Sequence, residues 1–218
     1  MPRRPRIVIP NIPHHVTQRG NFQQAVFQDD DDYRTYCRLM NRYSREHNMP
    51  VMAFCLMGNH VHFIAVPPTR STLARVFHAV HTRYARYSNE RRQKRGHLWQ
   101  GRFYSCPMDE THLCRAIRYV ERNPVRACLV AHPWDYKWSS AAAHARNAKS
   151  PMEVADLVPG KDTSGWRDYL QYPDTILEDE IRRGTCKGLP VGTDAFIEKL
   201  ESALGQVLTP QRPGRPKG

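Results

Sequence analysis

The sequence predicts an α+β fold: a ferredoxin-like βαββαβ antiparallel sheet with helices on one face, followed by a small C-terminal helical extension. Three observations carry this reading. Short runs of apolar residues, some alternating with polar ones, mark four strands. Apolar stripes at i, i+3/i+4 spacing lie between the first and second strands and between the third and fourth. Gly58-Asn59 joins the second strand to the third so tightly that only a hairpin fits. In such a layout the first and third strands are the central ones.

Residues 1–13 are basic and proline-rich with no acid, the composition of a flexible arm. His14–Gly20 alternates and stops at Gly20-Asn21, a first strand. Asp29 to Asp32 precede Tyr33, Tyr36, Cys37, Met40 and Tyr43, which predicts a helix to about His47. The acid run sits where the helix dipole favours negative charge, a simpler account of it than a carboxylate metal site. Pro50 opens the buried strand Val51–Leu56, and the hairpin returns through His60–Val66 to Pro67-Pro68. Ser71 or Thr72 caps a long helix with Leu73, Val76, Phe77, Val80, Tyr84 and Tyr87 as its core stripe. Gly96 ends that helix, and Leu98–Tyr104 reads as the fourth strand. Asp109-Glu110-Thr111 opens a helix to Arg122, stopped by Asn123-Pro124. The domain continues to residue 143; residues 144–163 read as a linker, and 164–208 as a small extension with helices at Asp174–Arg183 and Asp194–Leu204. Residues 209–218 form a basic tail containing Gly214-Arg215-Pro216. That core is like arms that lie in a narrow minor groove, with a plain disordered tail as the alternative.

A net charge of +12 and a pI near 9.7 favour an anionic partner, nucleic acid before a membrane surface. No apolar run approaches the ~18 residues of a membrane span, and Met-Pro-Arg-Arg-Pro-Arg lacks a secretory h-region, so a cytoplasmic location is expected. The six cysteines form no C-x-x-C pair and read as reduced thiols; Cys106, His112 and Cys114 match no common zinc spacing. Between positions 70 and 104 nine basic residues face one acid, Glu90, and are interleaved with His97, Trp99, Phe103 and Tyr104. Solvated helix faces usually mix signs, so this stretch reads as a surface that follows a phosphate backbone and stacks bases.

His60-Val61-His62 holds the sharpest chemistry. Side chains alternate along a strand, so the two imidazoles share a face and can grip one divalent ion. In a chain with 11 histidines such a pair is weak evidence by itself. In the helix Leu113–Asn123 the core stripe is Leu113, Ile117 and Val120, and at about 100° per residue Tyr119 falls off that stripe, on the side of His112, Ala116 and Asn123. Packing against a neighbouring element is the bland reading of Tyr119. The sharp one is a nucleophile that attacks a phosphodiester, with a divalent ion on His60 and His62 polarising the phosphate. Asn123, through its amide oxygen, is then the candidate third ligand and His112 the runner-up.

The segments His14–Asn21, Met57–His62, Gly96–Phe103, Arg118–Ala127 and Trp138-Ser139-Ser140 together resemble the single-tyrosine HUH transposases, an IS200-like group. Among these the chain is most similar to the bacterial REP-associated tyrosine transposases, over roughly residues 6–145. The resemblance implies an endonuclease that cleaves and rejoins single-stranded DNA beside short palindromic hairpins through a 5′-phosphotyrosine, using Mg²⁺ or Mn²⁺. It implies Tyr119 as nucleophile, His60 and His62 as metal ligands and Asn123 as third ligand, in a nucleoid-associated protein. A monomer is expected, with a dimer as the alternative. The expected DNA contacts are Arg4 in the arm, Arg19 at the first strand's end, Arg83, Arg95, Trp99, Gln100 and Arg102 in the basic-aromatic stretch, and Arg215 in the tail. Cys128 stands where relatives often carry glycine, a departure in the turn rather than in the chemistry. Two rivals remain. A non-catalytic hairpin DNA or RNA binder would need the arginines and aromatics but not His60 or Tyr119. A metal hydrolase using activated water would form no phosphotyrosine.

Overall fold

The computed structural model describes residues 6–155 and 163–208; Arg4, Arg215 and the basic tail lie outside them. Four strands, β1 (His14–Arg19), β2 (Val51–Met57), β3 (His60–Ala65) and β4 (Tyr104–Pro107), form one antiparallel sheet in the order β2-β3-β1-β4. The two crossover helices are α1 (Asp30–Glu46) and α2 (Thr72–Arg91). The ferredoxin-like α+β layout is therefore present, with β1 and β3 in the centre.

α1 begins where Asp29 caps it: the carboxylate accepts from the backbone N–H groups of Asp31 and Asp32. Asp32 does more than serve a dipole. It is fully buried and binds Arg91 and Arg92 at the end of α2. One face of the sheet, with Val16, Phe54, Leu56, Val61 and Phe63, packs on α1 and α2 through Tyr36, Met40, Val76, Phe77, Val80 and Tyr84.

The other face is covered too. Its residues, among them Ala53, Cys55, Ile64 and Cys106, meet α3 (Glu110–Glu121) together with α5 (Ala141–Arg146), α6 (Thr163–Gln171) and α7 (Thr175–Lys187). α5 runs across the expected boundary at residue 143. The extension contains three helices, α6, α7 and α8 (Asp194–Leu204), where two were expected. Trp166, Leu170 and Ile181 bury themselves in the same core as the sheet. Glu121 ties these layers: its buried carboxylate accepts from Ser140 Oγ, His144 Nδ1 and Trp166 Nε1.

Two expected boundaries shift. Residues 98–103 are not strand: Trp99 makes a single bridge to Gly20, Gln100 N–H donates to the Arg19 carbonyl, and Gly101 at φ 63° turns the chain before β4 pairs with β1 at Tyr104. Asn123-Pro124 ends α3, but one further turn, α4 (Asn123–Arg126), follows with proline at its start, where a missing N–H is harmless. Beyond it Cys128 adopts φ 55°, the left-handed region where a Cβ is strained.

Two predictions follow from this packing. Cys128 is exposed, so Cys128→Gly relieves strain without opening a cavity; urea unfolding is expected to gain about 1 kcal/mol, and an unchanged midpoint refutes the account. The second concerns His14 and His81, both buried and held neutral, with burial lowering them to about 4 and about 3. Unfolded, such rings take up protons below about pH 6.5; folded, they do not, so stability falls as pH drops through that value. Between pH 7.5 and 5.5, above the carboxylate range, the two together cost about 3 kcal/mol. Equal unfolding free energies at those two pH values overturn the assignment.

Candidate active site

β3 turns Val61 and Phe63 toward α1 and α2, and His60 and His62 toward α3. The two imidazole centroids lie 4.9 Å apart with ring planes at 80°. His60 is half-buried at the rim, and His62 is 6% exposed. In the antiparallel register Arg19 stands opposite His60 and Thr17 opposite His62. Two residues before Thr17, on the same face of β1, His15 stacks on His62 at 5.1 Å. α3 lies across this face and presents Tyr119 edge-on to both rings, 5.5 Å from His15 and 5.8 Å from His62. Tyr119 is therefore buried, at 3% exposure, where the second hydrophobic core meets the histidines.

Both ligand candidates have one ring nitrogen engaged. His60 Nδ1 meets Asn59 Oδ1 at 2.6 Å; that amide is oriented by its nitrogen, which donates to the Gln23 carbonyl. His62 Nδ1 meets His15 Nε2 at 2.9 Å. Each ring thus keeps Nε2 clear of these partners, the arrangement expected where the second nitrogen of a metal-binding histidine is held by a neighbour. Burial, then Arg126 and Arg19, lowers His60 to about 4. Burial, then His15, His60 and Arg126, holds His62 well below the usual range, and burial lowers His15 to about 3. These rings are neutral at physiological pH, the form that can donate a lone pair.

Arg126, one turn past Asn123 on α4, lies over the Tyr119 ring, 4.7 Å from its centroid. Burial pushes the phenol up, and Arg126 pulls it back. Glu178 of α7 pairs with the same guanidinium at 3.4 Å. A cation beside a phenol at the rim of an imidazole pair suits an anionic phosphodiester.

His60 and His62 fit a divalent cation as a partial donor set, to be completed by oxygens from a substrate phosphate and water, which Mg²⁺ and Mn²⁺ prefer. Among the described residues no group of three or more His, Cys, Asp or Glu side chains is arranged to hold a metal. Asn123, the expected third donor, has partners of its own: its Nδ2 donates to the Tyr119 and Val120 carbonyls, and its Oδ1 accepts from Arg126 at 2.5 Å. It serves as a cap on α3. His112 is engaged by Asp109 at 2.6 Å, roughly 10 Å along the helix from Tyr119.

The expected DNA contacts separate into groups. Arg19 and Gln100 are exposed beside His60 and bond each other at 3.2 Å. Arg102 lines a cleft of about 930 Å³ between α2 and residues 96–103, with Arg6, Arg75, His78 and His97. Arg95 is exposed in the loop beside it. Arg83 lies over the Tyr43 ring on the α1–α2 side, away from the histidines. Trp99 also lines this cleft, but it is 8% exposed: its indole donates to the His81 carbonyl and packs tilted against the His81 ring. Arg91 and Arg92 are spent on Asp29 and Asp32.

His15, Arg126 and Asn59 are site residues that sequence reasoning missed. His15 carried a signal, since it shares the period-two face with Thr17, but its proximity to His62 depends on the β1–β3 register. Arg126 was hidden by treating Pro124 as a stop.

The family model described as "Transposase IS200 like" matches residues 9–123. No curated protein matches the chain. Among solved structures, a REP-associated tyrosine transposase bound to a REP hairpin is similar with a TM-score of 0.58 and 16% identity, over 76% of this chain and 96% of that one. A putative transposase from Deinococcus radiodurans R1 matches with a TM-score of 0.37 and 16% identity, over 55% of this chain and 96% of that one.

Proposed function

The chain belongs to the IS200-like transposase family, and from that premise we propose that it is a metal-dependent single-stranded DNA endonuclease and transesterase acting beside short hairpins. The observation that carries the reading is the meeting of Tyr119 with His62 and Arg126 in one cluster, 5.8 Å and 4.7 Å from its ring. The substrate class is suggested by the similar fold of a transposase that binds a REP hairpin, and by the basic rim around His60.

In the proposed mechanism Arg19 and Arg126 draw the scissile phosphate to the rim. Arg126 stabilises charge as it develops on the Tyr119 oxygen. That oxygen gives up its proton and attacks phosphorus, the bond to the 3′-oxygen breaks and that oxygen takes up a proton to become the 3′-hydroxyl, and Tyr119 keeps the 5′-phosphate; attack by a 3′-hydroxyl reverses the step and rejoins DNA. His60 and His62 would hold Mg²⁺ or Mn²⁺, which would supply Lewis-acid polarisation of the phosphate and charge stabilisation for the departing oxygen. Asn123 acts by holding the end of α3 and Arg126 rather than by ligation. Nucleophile and imidazole pair come from one chain, which supports action as a monomer. No helix among the described residues is long and apolar enough to cross a membrane, and we place the protein in the cytoplasm on its DNA. A hairpin-binding module without catalysis is the second reading, favoured by the basic cleft that lies apart from the histidines.

A denaturing gel of protein incubated with hairpin-flanked single-stranded DNA and Mg²⁺ tests this. The wild type is expected to yield a covalent adduct, and chelation to abolish it while hairpin binding persists. Tyr119→Phe is expected to lower adduct formation by roughly 10³-fold or more, the scale of losing a nucleophile. An adduct that survives in Tyr119→Phe refutes the nucleophile; tight binding with no adduct under any divalent metal favours the binding module.

A further inference from the structure

We propose that Thr185 of α7, acting through His15, fixes His62 as its Nδ1–H tautomer and so keeps the Nε2 lone pair free for a divalent cation. The inference rests on the metal-dependent reading above.

It follows from counting protons along one chain of contacts. Thr185 Oγ1 lies 2.7 Å from the Ile181 carbonyl, 2.7 Å from His15 Nδ1 and 3.1 Å from Cys106 Sγ. A hydroxyl has one proton, and a carbonyl can only accept, so the Thr185 proton goes to Ile181. Its oxygen then accepts from His15 Nδ1–H and from the Cys106 thiol, which fills both lone pairs. An uncharged imidazole carries one N–H, so His15 Nε2 is bare. It faces His62 Nδ1 at 2.9 Å, and two bare nitrogens do not approach so closely; the proton between them belongs to His62. His62 Nε2 is left as a lone pair.

A charged His15 would reverse this, but the ring is 1% exposed, and its two nitrogens face a hydroxyl and a second imidazole rather than a carboxylate. His60 reaches the same tautomer by a separate route, through the Asn59 side chain in the β2–β3 turn. The two ligands are thus set alike, one by a local turn and one by a helix 123 residues further on (185 − 62). α7 comes this close because Gly184 precedes Thr185: a Cβ there would sit 2.5 Å from Val191 Cγ2 and 3.2 Å from the Leu189 carbonyl. Thr185 itself is 2% exposed. It is a positioning residue, acting on the site through His15.

The test uses the full-length protein without DNA or metal. Long-range ¹H–¹⁵N correlation spectra of ¹⁵N-histidine-labelled protein, with His62 assigned by its loss in His62→Gln, are expected to show Nδ1 protonated and Nε2 bare. Thr185→Val keeps the shape but removes the acceptor. His15 is then expected to move its proton to Nε2 and drive the His62 proton onto Nε2. Mn²⁺ binding, read by the EPR signal of the free ion, is expected to weaken by roughly 10–100-fold, the usual cost of losing a ligand's supporting partner. Thr185→Ser retains the hydroxyl and is expected to restore both readouts. A wild-type His62 protonated on Nε2 overturns the relay, with no variant needed. So does a folded Thr185→Val protein whose His62 tautomer and Mn²⁺ affinity match the wild type. A wild type with His62 in the expected tautomer but no Mn²⁺ binding upholds the relay and overturns the metal reading.

Discussion

The register of β1 against β3 is the constraint on which the rest of the molecule depends. It sets Arg19 opposite His60 and Thr17 opposite His62, and it brings His15 onto the same face within stacking distance of His62. Because side chains alternate, a slip of one residue would turn the imidazoles into the α1–α2 core and Val61 and Phe63 toward Tyr119. That exchange would strand polar rings among Tyr36, Phe77 and Val80 and expose apolar ones at the rim. The hydrophobic pattern that folds the sheet therefore also aims the site. The hairpin turn is pinned from outside as well: the Gly58 carbonyl accepts from the backbone N–H groups of Val26 and Phe27, and the Asn59 carbonyl from Gly20.

Much of this was legible in the sequence, because it rests on local period. The alternation of β3, the stripe of α2 and the caps at Asp29 and Asp109 are properties of short windows, and the structure follows them. The pair His60–His62 and the displaced position of Tyr119 could be read for the same reason. What could not be read depends on contacts between distant segments. Asp32 looked like part of a capping run, and only the packing of α1 on α2 makes it the buried partner of Arg91 and Arg92. Trp99 looked like a stacking surface because its neighbours are basic, yet the turn at Gly101 folds its ring inward onto His81. Asn123 has the right chemistry for a ligand, but the extra turn of α4 supplies Arg126 to occupy its oxygen.

The charge distribution follows the same division. A net charge of +12 suggests a broad basic surface, but part of the arginine complement is consumed internally: Arg91 and Arg92 by Asp29 and Asp32, Arg115 and Arg118 by Asp174. What stays open is more focused. Arg19 and Gln100 flank His60, and Arg102 with Arg75 and His97 lines the cleft beyond α2. These two regions are joined by residues 98–101, which bond to Arg19 and Asn21 by their backbone.

The C-terminal helices change what counts as the site. The family match ends at Asn123, inside the Arg118–Ala127 segment that carries Tyr119. Arg126, which lies over the Tyr119 ring, is just beyond that match; Glu178 and Thr185, which brace Arg126 and His15, lie on α7. α7 is not an appendage beside a finished domain, since Ile181 is buried in the same cluster as Ile64 and Tyr119. Take it away and His15 loses the hydroxyl that receives its proton, Arg126 loses a carboxylate, and the sheet face around Cys106 opens to water. A buried imidazole with no partner for its N–H is costly, and it would recover one by turning or by exchanging protons with His62. The histidine pair on β3 therefore owes its spacing to the strand, but His62 owes its chemical form to a helix beyond the family match.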